Sequence, residues 1–260
     1  MADVIFEEIE CKSALNKISA TNMPFRWTLN PYRGCQHACT YCFARGTHNH
    51  LGYDAGRDFE SRVGVKTNAP EVLRRDLGRE GWRRELIAIG TACDPYQPAE
   101  LKYSLTHRIL RVLRDFANPA TIVTKSPHVV RDADVLADLS REAEVTVAFS
   151  IATLDEDVWK RTEPATAKPQ KRLEAMRLLA ERGVRCGVML APILPGLTDD
   201  PASIERVMVA AKEHGASFVH DNVLYLKPGT KEWFLPALRE AYPHLAERYA
   251  SYYRGVYAPR

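Results

Sequence analysis

Val145-Thr-Val-Ala-Phe-Ser150, Pro169-Gln-Lys-Arg-Leu-Glu-Ala-Met-Arg-Leu-Leu-Ala180 and Val184-Arg-Cys-Gly-Val-Met-Leu190 read in succession as strand, helix, strand. The outer pieces are short and largely apolar, as strands covered on both faces are. The middle piece sets Leu173, Met176, Leu179 and Ala180 on one side at helical spacing and stops at Gly183, a residue suited to a helix C-terminus. Such a unit closes by a right-handed crossover and makes its strands parallel. The same alternation continues in both directions. Strands are expected at 27–30, 85–90, 120–124, 145–150, 184–190 and 218–225, and helices at 69–77, 105–116, 133–141, 169–182 and 201–214. The implied class is α/β, a partial (β/α)6 barrel of the TIM type that lacks two units and stays open on one side. A doubly wound open sheet competes, but no Gly-x-Gly-x-x-Gly turn supports a dinucleotide site.

At 260 residues the chain suits one large domain or two small ones. With no repeat and no Pro/Gly-rich linker, the expected organisation is a barrel over 25–230, an N-terminal extension over 1–24 and a helical extension over 231–260. There is no run of eighteen apolar residues, so no membrane-spanning helix is expected and no membrane partner. The start, Met1-Ala-Asp-Val-Ile-Phe-Glu-Glu8, is acidic and unlike a signal peptide. The six cysteines do not read as a secreted disulfide framework, and a cytoplasmic location is the expectation. The net charge of +3 permits a nucleic-acid partner without requiring one.

After the first strand come three cysteines in one loop, Cys35-Gln-His-Ala-Cys39-Thr-Tyr-Cys42. Three ligands without a fourth leave one iron of a [4Fe-4S] cubane with an open position, where a small molecule can be activated. Zinc completed by His37, His48 or His50, an electron-transfer cluster completed by Cys11, Cys93 or Cys186, and ordinary buried thiols are the alternatives. No second Cys-x2-Cys pair completes a zinc ribbon, so the three-ligand cluster is favoured. Parallel barrels gather active sites at the C-terminal ends of their strands. Here the strand exits read Asn30-Pro-Tyr-Arg-Gly34, Gly90-Thr-Ala-Cys-Asp-Pro-Tyr-Gln-Pro98, Thr124-Lys-Ser126, Ser150-Ile-Ala-Thr153 and Ala191-Pro-Ile-Leu-Pro-Gly-Leu-Thr-Asp199. The sixth exit carries Asp221, Asn222, Tyr225 and Lys227, so polar groups stand at every exit, as around one central ligand.

The cysteine spacing resembles the signature of radical S-adenosylmethionine (SAM) enzymes. The blocks Asn30-Pro-Tyr-Arg-Gly-Cys35, Tyr41-Cys42-Phe-Ala-Arg45, Asp94-Pro-Tyr-Gln-Pro98, Thr124-Lys125-Ser126, Glu163-Pro164 with Lys171-Arg172-Leu173-Glu174, and Ala191-Pro-Ile-Leu-Pro-Gly196 resemble the spore photoproduct lyase-like branch. That resemblance implies an enzyme that binds a [4Fe-4S] cluster through Cys35, Cys39 and Cys42. It reductively cleaves SAM to a 5′-deoxyadenosyl radical, which takes a hydrogen from an unidentified substrate: nucleic acid, peptide or small metabolite. A reducing partner such as flavodoxin or ferredoxin is implied too.

By position, the resemblance gives Tyr41 to adenine and Lys125 to the SAM carboxylate. Ser150 goes to the SAM amino-acid part or ribose, with a plain strand cap equally compatible, and Ala191 to Ile193 offer backbone to adenine. Glu163 and Arg172 are an ion pair, either steadying a SAM-facing loop or lying at the surface. Thr91, Asp94 and Gln97 are polar groups of one loop toward the cofactor, with the substrate the alternative for Asp94 and Gln97. Cys93 occupies the region of a hydrogen-donating cysteine, and Tyr96 is a candidate radical relay, with buried packing the alternative for both. His48 and His50 are assigned to the cavity mouth or to solvent. The Tyr-rich tail with Arg248, Arg254 and Arg260 either covers the open side of the barrel or stacks on bases. A non-catalytic zinc or iron–sulfur module is the reading from a different class.

Overall fold

Ile122 pairs with Val147 across one strand boundary and Phe149 with Val188 across the next, and none of the four has exposed surface. Fully burying one such side chain contributes about 1.5–3 kcal/mol, which is why the apolar runs define the sheet. The structure, a computed structural model, describes residues 4–19 and 23–259. Arg260, the first three residues of the acidic start and part of the expected N-terminal extension lie outside them.

The strands are β1 (Ile5–Ile9), β2 (Asn16–Lys17), β3 (Trp27–Leu29), β4 (Tyr32–Arg33), β5 (Arg62–Lys66), β6 (Ile87–Ile89), β7 (Ala120–Thr124), β8 (Val145–Ser150), β9 (Arg185–Ile193) and β10 (Val219–Val223). The helices are α1 (Arg57–Ser61), α2 (Ala69–Leu77), α3 (Ala99–Tyr103), α4 (Leu105–Asp115), α5 (Ala133–Glu142), α6 (Glu156–Thr162), α7 (Pro169–Ala180), α8 (Pro201–Glu213), α9 (Thr230–Ala241) and α10 (Ala246–Tyr252).

The main sheet runs β10-β9-β8-β7-β6-β3-β2. All neighbours from β3 to β10 are parallel, and only β2 joins antiparallel. These parallel strands are the expected units of the partial barrel, which ends at β10 and β2 without closing. The central core lies between this sheet and α2, α4, α5 and α7, with Leu73, Ile109, Leu136 and Met176 wholly buried. Helix α7 stops where the sequence predicts: Gly183 takes φ +79°, and Val184 N donates to Leu179 O at 3.1 Å.

A three-stranded sheet, β1-β5-β4, was not expected. It brings β1 of the N-terminal segment alongside β5, just after the cysteine loop. At the other end of the chain, Phe234, Leu238, Leu245, Tyr249 and Tyr253 bury themselves against Tyr41, Cys39, Leu224 and Leu226. The tail therefore covers the barrel with Tyr249 and Tyr253, both fully buried, and Tyr253 Oη donates to Leu224 O at 2.9 Å. No helix among the described residues is long and apolar enough to cross a membrane.

Gly90, at the exit of β6, is the tightest turn of the site. Its φ is +89°, and a Cβ there would stand 2.4 Å from Val123 O and 2.8 Å from Pro95 Cδ. Strain of that kind costs about 1–3 kcal/mol before the clash is counted. Gly90→Ala is expected to lower the thermal midpoint by several degrees, measured by circular dichroism; an unchanged midpoint would contradict the reading of this turn.

Candidate active site

Cys35, Cys39 and Cys42 share one cavity of about 250 Å³ at the C-terminal ends of the parallel strands. Its other walls come from separate exits: Thr91 to Asp94 after β6, Thr124 at the end of β7 with Lys125 after it, Ser150 at the end of β8, Ala191 in β9, and Asn222 to Tyr225 around the end of β10. The loop that carries the thiols is shaped by its backbone. Gly34 turns at φ +83°, where a Cβ would meet the Phe59 and Arg62 carbonyls at 2.8 Å, and Cys35 N donates to Phe59 O at 2.8 Å.

One bonded network backs the wall that Tyr41, Lys125, Ser150 and Ala191 form; its other members, Glu163 and Arg172, lie behind them and do not line the cavity. Lys125 Nζ donates to Ser150 Oγ at 2.6 Å and to Glu163 Oε1 at 3.0 Å, and lies 5.4 Å from the centre of the Tyr41 ring. Glu163 also accepts from the Tyr41 hydroxyl and from Arg172 Nη2. The Arg172 guanidinium continues to Ser150 O at 2.7 Å and Thr166 Oγ1 at 2.6 Å, and Ser150 Oγ donates to Ala191 O at 2.9 Å. Burial alone would raise the Glu163 carboxyl; the Arg172 and Lys125 cations and the Tyr41 hydroxyl outweigh it and hold it well below the usual range. The Glu163–Arg172 pair is thus a buried one, with Arg172 1 % exposed, and the surface alternative is excluded.

Asp94 ties this wall to the cysteine loop. Its carboxylate accepts from Lys125 N and Thr124 Oγ1 at 2.7 Å, and from Tyr96 N at 2.8 Å. His37 Nδ1 stands 3.2 Å from its second oxygen, close enough for an ion pair though outside hydrogen-bonding alignment. Burial would raise Asp94, but His37 and these donors hold it below the usual carboxylate range.

Not every expected residue reaches the cavity. Tyr96 turns into the central core and donates to Asp132 Oδ2 at 2.9 Å. Gln97 braces the cysteine loop, accepting from Gln36 N at 3.0 Å and donating to Gly34 O at 3.1 Å. Ile193 packs beside the central core, and only its neighbours Ala191 and Pro192 line the cavity. Thr91 does line it and accepts from Asn30 Nδ2 at 3.1 Å. Neither His48 nor His50 lines it; His48 packs edge-on against Phe59. Cys93 is present, its thiol 3.9 Å from Asn30 Oδ1, whereas Cys186 lies in the central core and Cys11 packs at its border. His37, read from the sequence only as a zinc ligand in the alternative, lines the cavity, as do Phe43 and Met189, to which sequence reasoning assigned no role.

The donor set suits an iron–sulfur cluster. Burial pushes the Cys39 thiol up to about 12 and raises Cys35 and Cys42 too, so a thiolate here needs a metal's positive charge. Among the described residues no three His, Cys, Asp or Glu side chains converge as on a single ion. The thiols of a cubane bind different irons, so they need not meet at one point.

Comparison with known proteins agrees with this chemistry. The profile of the Radical SAM superfamily matches residues 29–239. Rv2578c of Mycobacterium tuberculosis, itself uncharacterised, is 42 % identical over 258 residues, spanning 98 % of this chain and 76 % of its own. A spore photoproduct lyase variant with bound AdoMet and dinucleoside spore photoproduct shares the fold at TM-score 0.67 and 15 % identity; the match covers 92 % of this chain but 66 % of the lyase. SuiB of Streptococcus suis, bound to S-adenosylmethionine, shares it at TM-score 0.57 and 15 % identity over 85 % of this chain and 46 % of its own.

Proposed function

The chain belongs to the radical SAM superfamily, whose members are enzymes that use a [4Fe-4S] cluster and S-adenosylmethionine; from that premise we propose that Cys35, Cys39 and Cys42 hold the cluster and that the Lys125 wall receives SAM. The observation that carries the proposal is the convergence of Tyr41, Lys125, Ser150, Glu163, Arg172 and Ala191, from distant parts of the chain, into one bonded network beside the three thiols. When bound, the two groups supply one-electron cleavage of SAM and a 5′-deoxyadenosyl radical that abstracts hydrogen from a substrate.

The protein's own work is binding and orientation. The Lys125 ammonium, held by Glu163 and Ser150, offers a fixed cation to an incoming carboxylate. The backbone of Tyr41, Ala191 and Pro192, all of which line the cavity, would offer adenine its polar contacts. Asp94 fixes the start of the Lys125 turn, and Thr91 lines the approach. Apolar Val123, Met189 and Leu224 exclude water from the reacting region. A flavodoxin- or ferredoxin-like protein is the proposed reductant. The fold shared with a lyase that binds a dinucleoside spore photoproduct supports offering nucleotides among the trial substrates, beside peptides and small metabolites.

The test is anaerobic reconstitution followed by incubation with SAM and a reductant in isotope-labelled cell extract. A brown protein that forms 5′-deoxyadenosine and exchanges label with one molecule is expected; a colourless protein with stoichiometric zinc would reject the proposal.

Cys93 supports a second reading. It lines the same cavity as the cluster cysteines, as a fourth ligand in an electron-transfer protein would. In the enzyme reading its S–H would return a hydrogen atom to the substrate radical, and the resulting thiyl would take one electron from the external donor and one proton from solvent to restore the thiol. Cys93→Ala separates the two. Retained iron and SAM cleavage with altered product is the expected result, whereas loss of the cluster favours electron transfer.

A further inference from the structure

Arg45 is wholly buried, yet the proposed chemistry gives its side chain no role. Its guanidinium spans three segments. Nε donates to Cys39 O at 3.0 Å, and Nη2 to Ala38 O at 3.2 Å and Glu60 Oε2 at 2.8 Å. Nη1 donates to Gly56 O at 2.7 Å and Ala55 O at 3.2 Å. The Phe59 and Trp233 rings lie 5.2 and 4.9 Å from its central carbon.

The loop that it grips contains an unfavourable backbone. Ala38, between the first two cysteines, has φ +55°, a left-handed conformation disfavoured for a residue with a Cβ. Such a conformation persists only when its surroundings over-determine it. Two bonds do so here: Ala38 N donates to Cys35 O at 3.3 Å, and Arg45 takes the Ala38 carbonyl. The bend at Ala38 sets how Cys35 and Cys39 stand to one another. The fork also ties the loop to the tail, where Thr230 Oγ1 donates to Cys42 O at 2.9 Å and Trp233 covers the guanidinium. Lysine has the charge but not a planar fork that reaches carbonyls on both sides.

We propose that Arg45 is a positioning residue for the cluster: its fork holds the left-handed bend at Ala38 and so presents Cys35 and Cys39 as ligands before iron arrives. This rests on the cluster assignment above.

The test uses the full chain and three variants, Arg45→Lys, Ala38→Gly and the two combined. Far-ultraviolet circular dichroism reads the fold of each without iron, and iron and sulfide are counted after anaerobic reconstitution and challenge with a ferrous chelator. The expected result is a native spectrum for Arg45→Lys with about tenfold weaker iron retention, the scale of losing an outer-shell partner. Ala38→Gly in that background is expected to restore most of the retention, because glycine takes φ +55° without strain. A general packing role would not respond to a glycine at Ala38. Wild-type retention in Arg45→Lys, no rescue by Ala38→Gly, or a collapsed spectrum for Arg45→Lys would each overturn the proposal. Failure of the unaltered chain to take up iron would instead sink the cluster assignment, and this inference with it.

Discussion

Cys39→Ala is expected to reduce SAM cleavage to background while leaving the barrel folded. Cys39 sits in the middle of the cysteine loop, 6 % exposed, with its carbonyl held by Arg45. The thiol makes no hydrogen bond that the fold requires, and the change removes one sulfur from a side chain at the edge of the C-terminal core. A small cavity of this kind costs about 1–2 kcal/mol, well inside the stability of a domain this size. On the proposed assignment the cluster, by contrast, would lose one of only three protein ligands, leaving two irons without a side chain. The checks are 5′-deoxyadenosine by mass spectrometry, iron per chain, and circular dichroism of the same preparation. Cleavage at the unaltered rate would remove Cys39 from the cluster; an unfolded spectrum would place the residue in the core instead.

Much of the architecture was legible because its signal is local. The run Val145–Ser150 needs only its own side chains to declare a buried strand, and the structure returns the same bounds. Helix α7 announces its end through Gly183 in the same way. The β1-β5-β4 sheet was not legible. Its strands are two to five residues long, and β1 finds β5 across some 57 residues of chain, as with Ile5 and Arg62. A run such as Ile5-Phe-Glu-Glu-Ile9 carries no mark of that partner.

The candidate site divides the same way. Lys125, Ser150 and Glu163 were named one at a time from strand ends and motif blocks, but nothing local says that Tyr41 meets Glu163 across 122 positions. Tyr96 carried two readings, a radical relay and buried packing, because it follows a polar exit, and its ring lies in the core. The turn in which Asp94 accepts from Tyr96 N directs the ring into the core. Arg45 was quoted within a motif without a role, since an arginine in sequence reads as surface until the surrounding carbonyls are known.

The Glu163 network gives the largest expected effect on stability. Lys125 and Arg172 are both paired with one carboxylate that is 3 % exposed. Glu163→Gln removes the charge and nearly preserves the shape, so two cations are left without their anion. Breaking a buried pair in this way costs about 3–5 kcal/mol. At about 2–4 °C per kcal/mol for a domain of this order, the thermal midpoint is expected to fall by roughly 6–20 °C. The pH dependence gives a second check. The folded Glu163 carboxyl lies below its ordinary value of 4.5, so its stabilisation is complete above that pH and is lost as pH falls below it toward the depressed value. The difference between the unaltered chain and Glu163→Gln is therefore expected to be constant from neutrality to about pH 5, then to narrow in acid. A difference that stays constant through pH 3, or one that widens, would show that glutamine destabilises through packing and not through the missing charge. Arg172→Met completes the argument: it leaves Glu163 paired with Lys125 alone, so it should destabilise as well, and the two losses should fall short of additive because both break the same ion pair.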